Sequence, residues 1–484
     1  MPALLPFATA VLIGYLLVHA ARPLSGAGPG WAVATFELSL GAGLGIGITS
    51  AVFFVLLVAG TASPATILSC DAVMLALLFG VLFFRRGRVS ATPESGLPAA
   101  PRGFRWNWLL ALGLGTSLSM VLAGMWAYAD GNPHGLWDAW AIWNLRARFL
   151  AGPGEVWRNA ISPLLGRTHP DYPLLLSGFI ARCWKVAGSY DTAVPIATAF
   201  LFFAATVALL VSCLALVRSV SAGLLAGLVL LTGAAYLQQP MSQFSDVPLA
   251  FYFLAALALI SLARLGESRN RVLLTLAGAA AASAAWTKNE GLLFLVVFVG
   301  CWALVEWRFS GWKKAASRVF WLLLGMLPGL ILVGWLKLLL APVADPFVSR
   351  PIQSLSGGFA RSERVWWVVG QAYTWAVGFG SGVSHPLVVL AVLIVAVRVA
   401  VPRRNAGAVW TLAGTLTLVF GGYCLVSVGA LTPFDRFYSQ LWPAFLLLAF
   451  LILRPIEDMM PAPAAKEMGL AVQGKTKTRK KGKA

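Results

Sequence analysis

Long apolar stretches follow one another along almost the whole chain, and polar residues gather in the short segments between them. A stretch of about 17 to 25 apolar residues is the length that a helix needs to cross the hydrocarbon core of a membrane. Because lipid offers no water to the backbone, such a stretch has to be helical. The pattern predicts an all-α, polytopic transmembrane bundle of about 13 to 15 spans. They lie near residues 4–20, 34–59, 66–84, 107–129, 173–188, 192–217, 222–238, 247–263, 272–286, 290–306, 319–340, 386–400, 408–427 and 438–454, with a weaker one at 366–379.

Composition and charge support the same class. Of the 484 residues, 59% are hydrophobic and 11% are charged, against roughly 25% charged in soluble domains. The formal charge of +19 would favour a nucleic-acid partner in a soluble protein. Here the basic residues cluster in short loops, so the positive-inside rule explains them and no nucleic-acid partner is expected. The clusters at 85–88, 264–271, 308–318 and 403–404 and the tail at 475–483 are predicted to be cytoplasmic, and the tail also to contact membrane lipids.

The chain divides at its polar segments. We predict extra N-terminal transmembrane helices over 1–84, a cytoplasmic linker over 85–106, a transmembrane core over 107–454 and a basic cytoplasmic tail over 455–484. The first stretch has no Lys or Arg before its apolar run, so we interpret it as a span rather than a cleaved signal peptide. The cysteines stand singly inside apolar runs, which predicts neither a disulfide framework nor a zinc site.

Placing the basic loops inside leaves polar loops outside, at 130–171, 341–365 and 428–437. One part of this topology is inconsistent. His169 and Asp246 should both lie outside, but three apolar runs separate them, whereas an even number is required. Either the short run 173–188 lies flat, or one of the next two runs crosses only half the bilayer.

Ionisable residues stand on this outer side at the ends of different predicted helices: Asp138, His169, Asp246, Lys288, Glu290 and Arg436. Each has a purely structural explanation. Asp138 would cap a helix N-terminus, Lys288 and Glu290 would form a local ion pair, and Arg436 would pair with Asp435. Since ionisable groups deep in a bilayer cost about 2.5 to 3.5 kcal/mol each, their joint placement favours a binding site.

The loop around Asp138 is rich in tryptophan. If 137–149 is helical, Trp140, Trp143 and Phe149 fall on or near one face. An amphipathic helix of this kind would lie in the membrane interface.

The order of these motifs resembles the GT-C superfamily of polyprenyl-phosphate-sugar-dependent glycosyltransferases, near the aminoarabinose and protein O-mannosyl transferase branch. The matching segments are Asp138-Ala-Trp-Ala-Ile-Trp-Asn-Leu-Arg146-Ala147, His169-Pro170-Asp171-Tyr172-Pro173-Leu174, Asp246-Val247-Pro248-Leu249, Thr287-Lys288-Asn289-Glu290-Gly291, and Arg436-Phe437 followed by Pro443. The resemblance covers residues 107–454. It departs from the family pattern at Ala139, where the family often has a second acidic residue.

The resemblance implies an inverting glycosyltransferase that moves a sugar from a polyprenyl-phosphate donor to an acceptor hydroxyl on a lipid, a glycan or a protein. Asp138 would be the general base, and Asp246 would orient the acceptor or Lys288. Lys288 and Arg436 would bind the donor phosphate, and Arg350, Arg361 and Arg364 are further candidates for this role. The substrate would be oriented by His169, Asp246 and Glu290. No Asp-x-Asp pair is present, so a divalent metal is possible but not expected as a cofactor.

The amino-acid composition is rich in Ala, Gly, Leu and Arg, which suggests a bacterium with a GC-rich genome. We therefore expect an inner-membrane protein with its site facing the periplasm and its C-terminus in the cytoplasm. Two alternatives stay open. A transporter or flippase of lipid-linked saccharides would need broken helices in pairs and ionisable residues at the midplane. A non-catalytic membrane subunit is favoured by Ala139, which stands where a second acid would be.

Overall fold

The computed structural model describes residues 4–21, 24, 28–85, 106–264, 270–341, 362–378, 405–430 and 434–453. This part of the chain is helical and has no strand. Its α-helices are α1 (Leu4–Ala21), α2 (Gly30–Val58), α3 (Pro64–Arg85), α4 (Asn107–Gly131), α5 (Asn144–Ala151), α6 (Leu175–Ala187), α7 (Ala193–Val217), α8 (Val220–Leu230), α9 (Ala234–Met241), α10 (Asp246–Ala263), α11 (Asn270–Thr287), α12 (Asn289–Ser310), α13 (Trp312–Trp335), α14 (Ser362–Gly378), α15 (Ala406–Ala430) and α16 (Phe434–Ile452).

Among the described residues, nine helices are long and apolar enough to cross a membrane, and the bent pair α8–α9 would make ten. The chain is therefore a multi-pass integral membrane protein, as its apolar pattern predicts. Every predicted span that falls on described residues contains helix. The predicted span 386–400, the tail 455–484 and nearly all of the linker 85–106 lie outside the described residues.

Helix α10 forms the centre of the bundle. All of its residues are buried, which fits a helix that is apolar on every side. The Tyr252 hydroxyl donates to the Gly43 carbonyl of α2 over 2.7 Å, and the Phe253 ring stacks on Phe294 of α12 at 4.0 Å. The N-terminal helices are thus packed against the same core as the helices that follow residue 107.

Close helix packing depends on glycine between α11 and α13. A Cβ atom at Gly278 would lie 2.0 Å from the Leu322 carbonyl oxygen, and one at Gly325 would lie 1.9 Å from the Thr275 carbonyl oxygen. Small residues let backbones approach this closely in membrane bundles, where van der Waals packing holds helices together. These glycines place the end of α13 beside the α11–α12 junction.

The segment 132–174 defines what we call the loop end of the bundle. Helix α6 has 13 residues, about 20 Å at 1.5 Å per residue, so it is too short to cross. Both of its termini lie at the loop end. The Leu175 carbonyl accepts from Ser50 near the end of α2 at 2.8 Å, and Lys185 donates to the Gly152 carbonyl at 3.0 Å.

Helices α8 and α9 then form one broken crossing, bent by 71°. Helix α7 ends at the opposite end of the bundle, where Arg218 donates to the Leu453 carbonyl at 2.6 Å. The α8–α9 pair returns to the loop end, where Ser242 accepts from the Leu136 amide. Two crossings therefore separate His169 from Asp246. Of the two solutions to the topological inconsistency, a non-spanning 173–188 is the one observed.

Candidate functional site

Elements that are far apart in the sequence meet at the loop end. They are the loop before α5, the segment leading into α6, the start of α10, the α11–α12 junction, the end of α13 and the start of α16. Asp138, Asp246, Lys288, Glu290 and Arg436 form what we call the charged cluster. Ion pairs join these five residues to one another at the loop end.

Asp246 is the centre of the charged cluster, and it is fully buried. Its Oδ1 accepts from Lys288 Nζ at 3.1 Å and from the Gln440 amide. Its Oδ2 accepts from Arg436 Nη2 at 2.7 Å and Nε at 3.2 Å. A buried carboxylate is tolerated when cations and hydrogen-bond donors surround it in this way. Asp246 therefore contacts both Lys288 and Arg436, and it has no exposed surface with which to contact an acceptor.

Arg436 joins Asp246 to Asp138. Its Nη2 lies 2.7 Å from Asp138 Oδ2 and 2.7 Å from Asp246 Oδ2, and its guanidinium lies 5.0 Å from the centre of the Phe244 ring. Asp138 precedes the π-helical turn Ala139–Trp143 and makes no capping bond with its side chain. The purely structural explanations for these two residues, a helix cap and a pair with Asp435, therefore do not account for their contacts.

Lys288 lies between two carboxylates. Its Nζ is 2.9 Å from Glu290 Oε1 as well as 3.1 Å from Asp246 Oδ1. The local Lys288–Glu290 pair expected as the structural explanation is present, but it is part of the larger cluster. Glu290 keeps 18% of its side chain exposed, and its buried Oε2 atom has no hydrogen-bond partner. The cluster therefore has an acceptor atom that its own residues do not satisfy.

A second polar cluster adjoins the first one through the backbone, because Asn289 follows Lys288. It consists of Asp171, Asn289 and Lys337. Asp171 Oδ2 accepts from Asn289 at 2.7 Å and from Lys337 at 2.9 Å, and Lys337 also donates to Asn289 Oδ1 at 2.6 Å. Burial by itself raises the pKa of Asp171, but the Lys337 charge and these hydrogen bonds outweigh it and hold the pKa below its usual value.

The segment that leads into α6 is held by a buried arginine. Arg146, on α5, donates to the carbonyl groups of Pro170 at 3.3 Å and Tyr172 at 2.7 Å. Burial lowers its pKa to about 10. His169 has a left-handed backbone, with φ of 49°, and its ring stacks on Tyr172 at 4.5 Å. His169 thus lies beside Asp171, and its backbone conformation turns the chain into α6.

Residues 137–149 are helical, as that prediction supposed, but Trp140 and Trp143 do not lie on one face. Trp143 is 1% exposed and stacks on Tyr172, whereas Trp140 is 51% exposed and packs edge-on against Trp137. The π-helical geometry of 139–143 has a wider turn than an α-helix, so the α-helical spacing used for the prediction does not apply.

Sequence reasoning missed Lys337, Gln440 and the role of Asp171. Lys337 is a lone cation in the long apolar run that ends at Leu340. This isolated charge was the feature of the sequence that could have identified it. Gln440 follows Arg436 by one helical turn, so both face Asp246. Of the further phosphate-binding candidates, Arg364 lies on α14, and Arg350 and Arg361 lie outside the described residues.

Two further findings bear on function. Within the described ranges, no group of three or more His, Cys, Asp or Glu side chains is arranged to hold a metal ion. Comparisons with protein-family models, curated proteins and solved structures give no match to this chain. Its function is therefore inferred from the contacts of the two clusters.

Proposed function

We propose that this protein is a GT-C-type inverting glycosyltransferase that moves a sugar from a polyprenyl-phosphate donor to an acceptor hydroxyl at the loop end. The observation that supports the proposal most is the bridge that Arg436 makes between Asp138 and Asp246. It brings a partly exposed carboxylate, from a loop, next to cations held by a buried carboxylate. A transfer from a phosphate-linked sugar needs this pairing of a base with fixed positive charge.

In the proposed reaction, the Asp138 carboxylate takes the proton of the acceptor hydroxyl. The acceptor oxygen forms a bond to the anomeric carbon while the bond between that carbon and the phosphate oxygen breaks. Polyprenyl phosphate leaves with the electron pair, and a single displacement inverts the anomeric configuration. The transition state resembles an oxocarbenium ion, as in glycoside hydrolysis.

Arg436 and Lys288 are the proposed ligands of the donor phosphate. Their side chains are 22% and 4% exposed, and Asp246 holds both in fixed positions. Preorganised cations stabilise the charge that builds on a leaving group without reorganising during the reaction. A donor phosphate that binds Arg436 would take the place of the Asp138 carboxylate and leave Asp138 available for the acceptor proton.

The general-base role is tested by Asp138→Asn in a transfer assay with purified protein and a panel of synthetic polyprenyl-phosphate sugars. We expect kcat to fall by roughly 100- to 10,000-fold. Asp130→Asn is the matched control, because Asp130 is exposed near the end of α4 and should keep wild-type turnover. Wild-type turnover in Asp138→Asn would refute the base assignment.

The role of Arg436 in binding the donor phosphate is tested by Arg436→Lys, which keeps the positive charge but loses the bidentate guanidinium contact. We expect kcat/KM for the donor to fall by ~100-fold and binding of polyprenyl phosphate alone to weaken. Arg148→Lys is the control, since Arg148 is exposed on α5. Unchanged affinity for polyprenyl phosphate in Arg436→Lys would contradict the assignment.

A lipid-linked saccharide transporter is the second candidate, and the bent pair α8–α9 is the observation that favours it. Transporter sites are built near the bilayer midplane from discontinuous helices. The charged cluster lies instead at helix ends, so we rank transport below transfer. Transport into sealed vesicles that survives in Asp138→Asn would reverse this order.

A further inference from the structure

A cleft separate from both polar clusters opens at the loop end. Its volume is about 500 Å³, and it lies between the α2–α3 turn, the segment at Gly154 and the last turn of α6. Its polar lining consists of the hydroxyl groups of Thr61, Ser63 and Thr66 with the Lys185 ammonium and the Glu155 carboxylate. The proposed glycosyl transfer uses none of these residues.

The lining has one cation without a carboxylate partner. Lys185 Nζ donates to the Gly152 carbonyl at 3.0 Å and pairs with no acidic residue in the part of the chain that the structure describes. Glu155 is already paired with Arg158. An ammonium group has three donors, so Lys185 has hydrogens left for a ligand. The cleft therefore offers positive charge together with hydroxyl groups, which suits a phosphate that carries hydroxylated substituents.

The backbone at the cleft leaves room for such a group. Gly60 and Gly154 line it with positive φ angles of 71° and 54°. A Cβ atom at either glycine would meet no atom within 4 Å, so both face open space. Left-handed backbone conformations favour glycine, which has no side chain. The two glycines therefore allow the turns to form and also leave the cleft unfilled.

An apolar stripe continues from the cleft along α3. Thr66 lines the cleft, and Val73, Leu77 and Phe84 follow at helical spacing on the same side. These three side chains are 57%, 66% and 78% exposed. Helices α2 and α3 are both long and apolar enough to cross a membrane, and the cleft lies where α2 ends and α3 begins. A lipid whose headgroup filled the cleft would lay its acyl chains along this stripe.

We propose that the cleft is a specific site for a phospholipid with an anionic, hydroxyl-bearing headgroup. Its phosphate binds Lys185, and its acyl chains cover the exposed stripe of α3. Thr61 already donates to the Leu56 carbonyl, and Ser63 is already bonded to Thr66, so the headgroup hydroxyls donate to the hydroxyl oxygens of this turn. The proposal is independent of the proposed glycosyl transfer, because it concerns residues outside both polar clusters.

The test is native mass spectrometry of the full-length protein in a neutral detergent, titrated with phosphatidylglycerol or with phosphatidylcholine of the same acyl chains. We expect phosphatidylglycerol to bind about fivefold more tightly, the contribution of one lysine near an anionic headgroup. Lys185→Gln should remove this preference. Lys314→Gln is the matched control, since Lys314 is exposed near the start of α13 at the opposite end, and it should keep the preference.

A second variant covers the case in which Lys185→Gln fails to fold. Thr61→Trp retains Lys185 and fills the cleft, so it should weaken binding of both lipids. Equal affinity of the two lipids for the wild type, or equal losses in Lys185→Gln and Lys314→Gln, would overturn the proposal. Free glycerol 3-phosphate that binds as tightly as phosphatidylglycerol would also overturn it, because a soluble phosphate would then be the ligand.

Discussion

Asp246 holds the charged cluster together, so its removal should be costly. Asp246→Asn removes the negative charge from a fully buried position. It leaves Lys288 and Arg436, both in contact with it at 3.1 and 2.7 Å, with one carboxylate partner fewer each. At an effective dielectric constant of about 20, the lost attractions are about 5 kcal/mol for Lys288 and about 6 kcal/mol for Arg436 before desolvation is counted.

The net cost is smaller than the sum of these attractions, because desolvating the charges already offsets part of them. Breaking a buried pair by removing one partner typically costs about 3 to 5 kcal/mol. We expect a loss of this size for Asp246→Asn in SDS-titration unfolding of the detergent-solubilised protein. Asp246→Asn combined with Lys288→Met should lose less than the sum of the two single changes, because the second change removes the uncompensated cation.

Asp130→Asn is again the matched control, since it changes the same functional group at an exposed position and should unfold as the wild type does. Surface substitutions usually change the free energy of unfolding by about 0.5 kcal/mol. The reasoning would be refuted if Asp246→Asn unfolded with a free energy within about 1 kcal/mol of the wild type, because the change would then be no larger than a surface effect. Additivity of the Asp246 and Lys288 changes would refute it as well, because the two side chains would then not interact.

Two further predictions concern the supporting structure. The pKa of Asp171 is held below its usual value of 3.8, so the stabilisation from Lys337 is present above pH 3.8 and is lost as the pH falls through the lowered pKa. Between about pH 6 and pH 3, the melting temperature of the wild type should therefore fall more than that of Asp171→Asn. Equal falls in the two proteins would contradict this prediction. Gly325→Ala should destabilise the bundle by about 1 to 3 kcal/mol, because its Cβ would meet the Thr275 carbonyl. Gly334→Ala, in the same helix with no atom within 4 Å of its Cβ, should unfold as the wild type does, and equal losses in the two glycine variants would count against close packing as the cause.

The membrane class and most helices could be predicted because lipid allows little else. An apolar run must satisfy its own backbone, so hydropathy alone places it in a helix. The length of a run was less informative. Residues 173–188 look like a short span, but Arg182 donates to Asp71 inside the protein, and the resulting helix does not cross. The break between α8 and α9 lies at Leu231, Thr232 and Gly233, and the spacing of apolar residues does not reveal it.

The candidate site was partly predictable for a similar reason. Asp138, Asp246, Lys288 and Arg436 stand at helix ends in the sequence, and the cost of charge near lipid made them conspicuous. Partners within the site depend on which helices touch, and one sequence does not contain that information. Lys337 illustrates this limit, because a lysine near the end of an apolar helix is equally expected to extend its side chain to the headgroups.

The buried pair of Asp71 and Arg182 has a consequence for biosynthesis. The two residues are 3% and 1% exposed and are 111 positions apart, so the ribosome completes α3 long before it makes α6. In the folded protein the Thr9 hydroxyl of α1 also donates to the Asp71 carboxylate, over 2.6 Å. The site that receives Arg182 is thus built from α1 and α3, both of which are synthesised before α6. The N-terminal helices therefore provide a binding site for a later, short helix that is not long enough to cross the lipid on its own.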